Sequence, residues 1–158
     1  MQEENGVTIV NLADDIQYLE EVSLCLWQEW SSKGGAKPED TLYRTRHSIC
    51  KDRVPQMYIA KQNDEMVGFV SIWNNDLKAR QDLSPWLATL FVKESYRGQG
   101  IGTLLQKKCI QVAKALGYER LYLITDLENY YEKSDWVLLD IAPSSPGHTT
   151  RIYVYTTT

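Results

Sequence analysis

Residues 96–108, YRGQGIGTLLQKK, place glycines at 98, 100 and 102 immediately before an apolar, lysine-tailed helical run. Glycine inside a regular element destabilises it by roughly 0.5–1 kcal/mol relative to alanine. Three glycines at alternate positions therefore imply a backbone that must come close to something. SPWLATLFV (84–92) reads as a strand, so the unit is strand, tight turn, helix. That layout suits a phosphate group. A helix N-terminus offers unpaired N–H donors and partial positive charge, and successive N–H groups in a turn form an anion-binding nest. The spacing narrows the choice of ligand. A P-loop needs four residues between its glycines followed by Gly-Lys-Ser/Thr, and the dinucleotide fingerprint is G-x-G-x-x-G after a first strand. Gly98-x-Gly100-x-Gly102 follows a fourth strand and fits neither.

The rest of the chain sets that unit in a mixed α/β fold. VTIVNL (7–12) reads as a strand, and residues 13–30 carry Ile16, Leu19, Val22, Leu26 and Trp30 at helical steps, with Asp14 or Asp15 as cap. A second helical stretch near 40–52 ends at Pro55, and residues 56–76 form two β-rich runs around the turn 62–65. The strand 84–92 is followed by a helix from Gly98 to Leu116, with Gly117 at its C-cap. ERLYLIT (119–125) is a near-continuous apolar strand, a short helical stretch lies near 127–133, and WVLLDIA and RIYVYT supply two last strands. One mixed sheet with helices on both faces accommodates this order, as a single domain over residues 1–158.

Composition excludes several classes. No apolar run approaches the ~20 residues that span a bilayer. The acidic start MQEENGVTIVNLADD lacks a signal-peptide layout, so a cytoplasmic protein without membrane partners is expected. Cys25, Cys50 and Cys109 form no CxxC or CxxH pairing, which leaves zinc and redox chemistry unsupported. A net charge of −4 argues against a nucleic-acid partner and is compatible with a cationic small molecule.

LFVKESYRGQGIGTLLQKKCIQVAKALGYERLYLIT resembles the core motif of the GCN5-related N-acetyltransferases (GNAT), whose signature is Arg/Gln-x-x-Gly-x-Gly/Ala after an apolar-x-Val strand end. LYRTRHSICKDRVPQMYIAKQNDEMVGFVSIW looks like that family's second helix and following hairpin, and NYYEKSDW like its Tyr-Glu-Lys-x-Gly-Phe/Trp segment. The resemblance implies a mixed, mostly antiparallel sheet of about seven strands flanked by about four helices. It also implies an acetyl-CoA-dependent N-acetyltransferase without a metal. The pyrophosphate of acetyl-CoA is then held by the N–H groups of Gln99, Gly100, Ile101 and Gly102 with their neighbours Arg97, Gly98 and Thr103. The strand Leu90, Phe91, Val92 pairs with the pantetheine arm, and Asn129 is a candidate hydrogen-bond partner for it or a cap. Dimers are common in the family, so a homodimer is the corresponding expectation.

Acetyl transfer to an amine needs a positioned thioester, a deprotonated amine and a proton for the leaving thiolate. By resemblance Tyr131, the tyrosine of the Tyr-Glu-Lys segment, is the acid, with Tyr130 as competitor. The glutamate that many relatives carry in mid-strand is absent, because Ala88 and Thr89 occupy its place. Asp82, just before the Pro-Trp-Leu strand, is the candidate base; a solvated loop aspartate and a water relay are the alternatives. Lys107 and Lys108 are read as solvated or as approaching the 3′-phosphate, and His148 as a surface residue or a second acid/base candidate. Trp27, Trp30, Trp73 and Trp86, with Glu29, Glu39 and Asp40, suit an ammonium-bearing acceptor, with core packing the alternative for Trp30 and Trp86. A small amine (aminoglycoside-like, polyamine or amino acid) is the expected acceptor, and a protein N-terminus or lysine the alternative. A non-catalytic acyl-CoA-binding module is the second function consistent with the missing glutamate.

Overall fold

The computed structural model describes residues 2–158. The strands are β1 Gln2–Glu4, β2 Val7–Asn11, β3 Gln56–Gln62, β4 Glu65–Trp73, β5 Trp86–Val92, β6 Arg120–Thr125, β7 Val137–Ser145 and β8 His148–Thr156. Among the described residues they form one eight-stranded sheet in the order β1-β2-β3-β4-β5-β6-β8-β7. Every neighbouring pair is antiparallel except β5–β6. The mostly antiparallel mixed sheet is the expected one, with the short β1 as an additional edge strand.

Among the described residues three α-helices cover the sheet, α1 Leu19–Glu29, α2 Pro38–Arg46 and α3 Ile101–Ala115, against the four or so expected. Alternation along the strands assigns them to opposite faces. Met57 and Ile59 of β3, with Met66 and Phe69 of β4, pack against Leu19, Val22 and Leu26 of α1. The intervening Tyr58, Ala60, Val67 and Val70 pack against Ile101, Leu104, Leu105, Cys109 and Ala113 of α3. A third cluster, Leu77, Trp86, Tyr122, Ala142 and Ile152, lies where β5 and β6 touch.

The elements start and stop differently from the sequence expectation in several places. β7 runs on to Ser145 and β8 begins at His148, beyond the expected WVLLDIA and RIYVYT, and α3 begins at Ile101 rather than Gly98. Asn11, rather than Asp14 or Asp15, caps the turn leading to α1, its Oδ1 accepting the Ala13 N–H at 2.8 Å. Asp14 and Asp15 instead pair with Lys51 and Lys61, and the helix proper begins at Leu19. The second helix ends at Arg46, well short of Pro55. The stretch near 127–133 is only a 3₁₀ turn over Tyr131–Ser134, closed by Asp135 at φ +70°. That left-handed position is where the Tyr-Glu-Lys-x-Gly pattern has glycine, and aspartate is among the few other residues that tolerate it. No helix among the described residues is long and apolar enough to cross a membrane.

Candidate active site

The site begins with a parallel pair that separates. β5 and β6 are joined at Trp86 and Tyr122, where the Tyr122 N–H donates to the Pro85 carbonyl at 3.1 Å and the two rings lie 5.6 Å apart. Beyond that contact β5 is paired on its β4 side only. The β4–β5 ladder explains the divergence. Ala88 faces Ser71 and Phe91 faces Phe69, so Thr89 and Leu90 together stand opposite Val70. Such a bulge bends its strand and locally disrupts pairing. Thr89 takes φ +51°, a strained angle for a β-branched residue, and its hydroxyl is tied to that of Ser71 at 2.7 Å. The wedge is part of a cavity of about 830 Å³, with Leu87, Ala88, Thr89 and Leu90 on one wall and Leu123, Ile124, Thr125 and Asp126 on the other. Tyr131 also lines it.

β5 runs from this wedge toward the glycine turn. Gly98 and Gly100 adopt φ +79° and +82°, and Gly100 is the N-cap of α3 with no side chain capping it. A Cβ at either glycine would meet nothing within 4 Å, so packing does not demand glycine there. The backbone angle demands it, and the first N–H groups of a 15-residue helix are left bare. Arg97 ties the turn to the strand, its Nε–H donating to the Val92 carbonyl at 2.8 Å. Ile101 is buried as the anchor, Gln99 and Thr103 are exposed, and a Cβ at Gly102 would lie 3.9 Å from Val92 Cγ2. Bare donors at a helix's positive end fit a diphosphate. Lys108 is engaged elsewhere, with Nζ 5.2 Å from the Tyr58 ring centroid.

The acid/base candidates separate clearly. Tyr131 is buried in the aromatic group formed with Tyr130, Trp136 and Tyr153, and burial pushes its phenol up to about 12. Asp82 does not reach the cavity. It is exposed, and Arg80 donates to its two oxygens at 2.9 and 2.8 Å, which holds its carboxyl below the ordinary range. The cavity carboxylate from the same loop is Asp76, whose pKa desolvation pushes up to about 7. No cation pairs with it among the described residues. Buried Leu77 anchors the loop in the third cluster, and the Asn75 side chain donates to the Arg80 carbonyl at 3.0 Å.

Other candidates fall outside the cavity. Asn129, exposed and at φ +59°, and His148, exposed at the start of β8, do not line it. Glu39 and Asp40 stay on the solvent side of α2, and the Trp27 indole donates to the Ala36 carbonyl. Trp86 is core, whereas Trp30, 42 % exposed, and Trp73 line the cavity. Among the described residues, no three His, Cys, Asp or Glu side chains gather as a metal site.

A family model described as the acetyltransferase (GNAT) family matches residues 19–134, from α1 through the Tyr131 turn. The chain belongs to the GNAT acetyltransferase family. One curated relative of this GNAT chain is N-alpha-acetyltransferase 30 of Schizosaccharomyces pombe, 32 % identical over 81 residues, 48 % of this chain and 53 % of that protein. The chain thus spans about half the length of the curated relative it matches. Among solved structures, an aminoglycoside 6′-N-acetyltransferase complexed with coenzyme A has a TM-score of 0.76 at 17 % identity, covering 96 % of this chain and 97 % of that one. A GNAT family acetyltransferase from Elizabethkingia anophelis with acetyl-CoA bound has a TM-score of 0.61 at 18 % identity, covering 97 % and 99 %. These likenesses show the GNAT fold.

Proposed function

We propose that this GNAT protein is an acetyl-CoA-dependent N-acetyltransferase acting on the primary amine of a small molecule, by direct attack in a ternary complex. The observation that carries the reading is one cavity, where β5 leaves β6, lined by both a carboxylate of raised pKa and a protonated phenol. The bare N–H groups of residues 98–103 would hold the pyrophosphate, and the free edge of β5 from Leu90 to Val92 would pair with the pantetheine arm. Acetyl-CoA supplies the acyl group as a thioester.

The chain's own residues divide the remaining work. An amine with a lysine-like pKa of ~10.4 is mostly protonated at neutral pH, so a base is needed. Asp76, near 7, is ionised in a useful fraction and still basic enough to accept the proton, directly or through water. Tyr131 holds its proton at every working pH. A phenol near 12 is a weaker acid than a thiol of ordinary pKa ~8.5, so complete transfer to the thiolate is uphill by roughly 4–5 kcal/mol. Tyr131 therefore acts first as a hydrogen-bond donor at the sulfur. Direct attack is supported by the cysteines. None lines the cavity among the described residues, and Cys109, the one on α3, is fully buried with its thiol pKa pushed up.

A pooled panel of amines, incubated with acetyl-CoA and the purified protein and read by mass spectrometry, tests the reading. An acetylated amine whose yield falls in Asp76→Asn supports it. Tight acetyl-CoA binding with no product across the panel leaves the non-catalytic binding module, which Ala88 in the mid-strand position favours.

A further inference from the structure

The end of the cavity beyond the wedge is built from α1, α2 and the loop after β4, and it holds two of the whole cavity's three charged lining residues, Asp76 and Arg44, while Asp126 stands on the wedge wall. Arg44, on α2, is exposed at the cavity's rim and has no carboxylate partner among the described residues; its guanidinium donates to Ser31 Oγ at a long 3.3 Å. Two buried polar atoms of the same lining are also unspent. The Trp73 indole N–H has no acceptor, and Thr41 Oγ1 has no partner although the residue is only 2 % exposed. An indole nitrogen and a guanidinium can only donate; leaving the buried Trp73 N–H unpaired costs about 1–3 kcal/mol, whereas the exposed Arg44 guanidinium is served by water until a ligand displaces it. The indole calls for an acceptor atom on a ligand, the threonine hydroxyl can donate or accept, and Arg44, a cation at the cavity with no carboxylate on it, is matched by a negative oxygen.

A polyamine meets neither demand, since ammonium groups only donate and Arg44 repels them. An amine that also bears a carboxylate meets both, because a guanidinium fork matches a carboxylate bidentately. We infer that the acceptor is a small amino acid, with its amine on the side of Asp76 and its carboxylate read by Arg44. Leu26, Pro55 and Met57, which also line the cavity, then supply an apolar wall for the amino acid's side chain. This inference rests on the acetyltransferase reading above.

The test compares matched acceptors in the same assay: free amino acids, their carboxamides, and simple di- and polyamines. Acetyl-CoA binding and thermal stability are followed alongside. Wild type should show kcat/KM for the acids at least about tenfold above that for the carboxamides, the scale of one hydrogen bond to a charged group. Arg44→Gln should bring the ratio close to one, and Arg44→Lys should recover part of it, a pattern that loss of folding does not produce. Carboxamides or polyamines turned over as well as the acids, or a ratio unchanged in Arg44→Gln, would overturn the carboxylate inference and leave the enzyme standing. No turnover of any acceptor by protein that binds acetyl-CoA would remove both.

Discussion

The two ends of the cleft are made of different material. At the end proposed to hold the pyrophosphate the donors are main-chain N–H groups, held by two left-handed glycines and the start of α3. At the other the lining groups are side chains brought together from α1, α2, the loop after β4 and the end of β6. A backbone site is indifferent to the side chains around it as long as its φ angles hold, which suits a group common to every acyl-CoA. A side-chain site changes with each substitution, which suits recognition of one acceptor among many. Substitutions at the two ends should therefore separate, with the glycine end moving acetyl-CoA affinity and the side-chain end moving the amine half of the reaction.

The largest separation is expected at Asp76. A positioned general base contributes about 10²–10⁴-fold, and Asp76→Asn should cost kcat/KM for the amine in that range with the acetyl-CoA Kd unchanged. Wild-type kcat/KM should climb with pH through about 7 as the carboxyl ionises, and the variant should lack that limb. Stability should move the opposite way. The folded chain keeps a proton on Asp76 that the unfolded chain has already lost at its ordinary 3.8, so between that pH and about 7 wild-type stability falls as pH rises. The asparagine variant escapes this and should be the more stable protein at pH 8, by roughly 2–4 kcal/mol given the partial burial. Urea unfolding at pH 5 and 8 measures it. Equal pH dependence in the two proteins would show that Asp76 is not desolvated.

The opposite end is probed by Gly100→Val. A non-glycine residue in the left-handed region costs roughly 1–2 kcal/mol, and a branched side chain would occupy the space in front of the bare donors. The KM for acetyl-CoA should rise about 100-fold, roughly 2.7 kcal/mol and so more than the backbone angle alone costs, while the preference among amines stays as in wild type. Unchanged acetyl-CoA affinity would remove the glycine turn from the site. Tyr131→Phe should have a smaller effect, lowering kcat about tenfold, the value of one charge-assisted hydrogen bond, with acetyl-CoA Kd unaltered.

The same contrast governs what was legible in the sequence. Gly98 and Gly100 announce their backbone angles by being glycine, and the strand and helix around them follow from periodicity, so the cradle is readable from residues 84–116. The place of Tyr131 at the cavity is readable because its Tyr-Glu-Lys segment is local; its role is a proposal. Asp76 is not. In Asn74-Asn75-Asp76-Leu77 it reads as one more polar loop residue, and its chemistry comes from Leu77 reaching a cluster completed by Trp86, Tyr122 and Ile152. The apolar residue one place on was the available signal. The bulge at Thr89 is hidden for a similar reason, since a threonine at φ +51° is the opposite of what propensity suggests.

Asp82 closes the comparison with the smallest expected effect. It shares the loop of Asp76, six residues on, and differs from it in being exposed and engaged twice by Arg80. A carboxylate so paired is held below its ordinary pKa and is a poor proton acceptor near neutral pH. Asp82→Asn removes an exposed ion pair, and Arg80 keeps its second partner, Asp140, at 3.1 Å. Exposed pairs contribute little to stability, so the thermal midpoint should stay within measurement error of wild type. The pH–rate profile should keep its limb near 7. Should kcat fall in Asp82→Asn as steeply as in Asp76→Asn, the base would have to be sought among groups that this loop positions outside the cavity, and the assignment to Asp76 would fail.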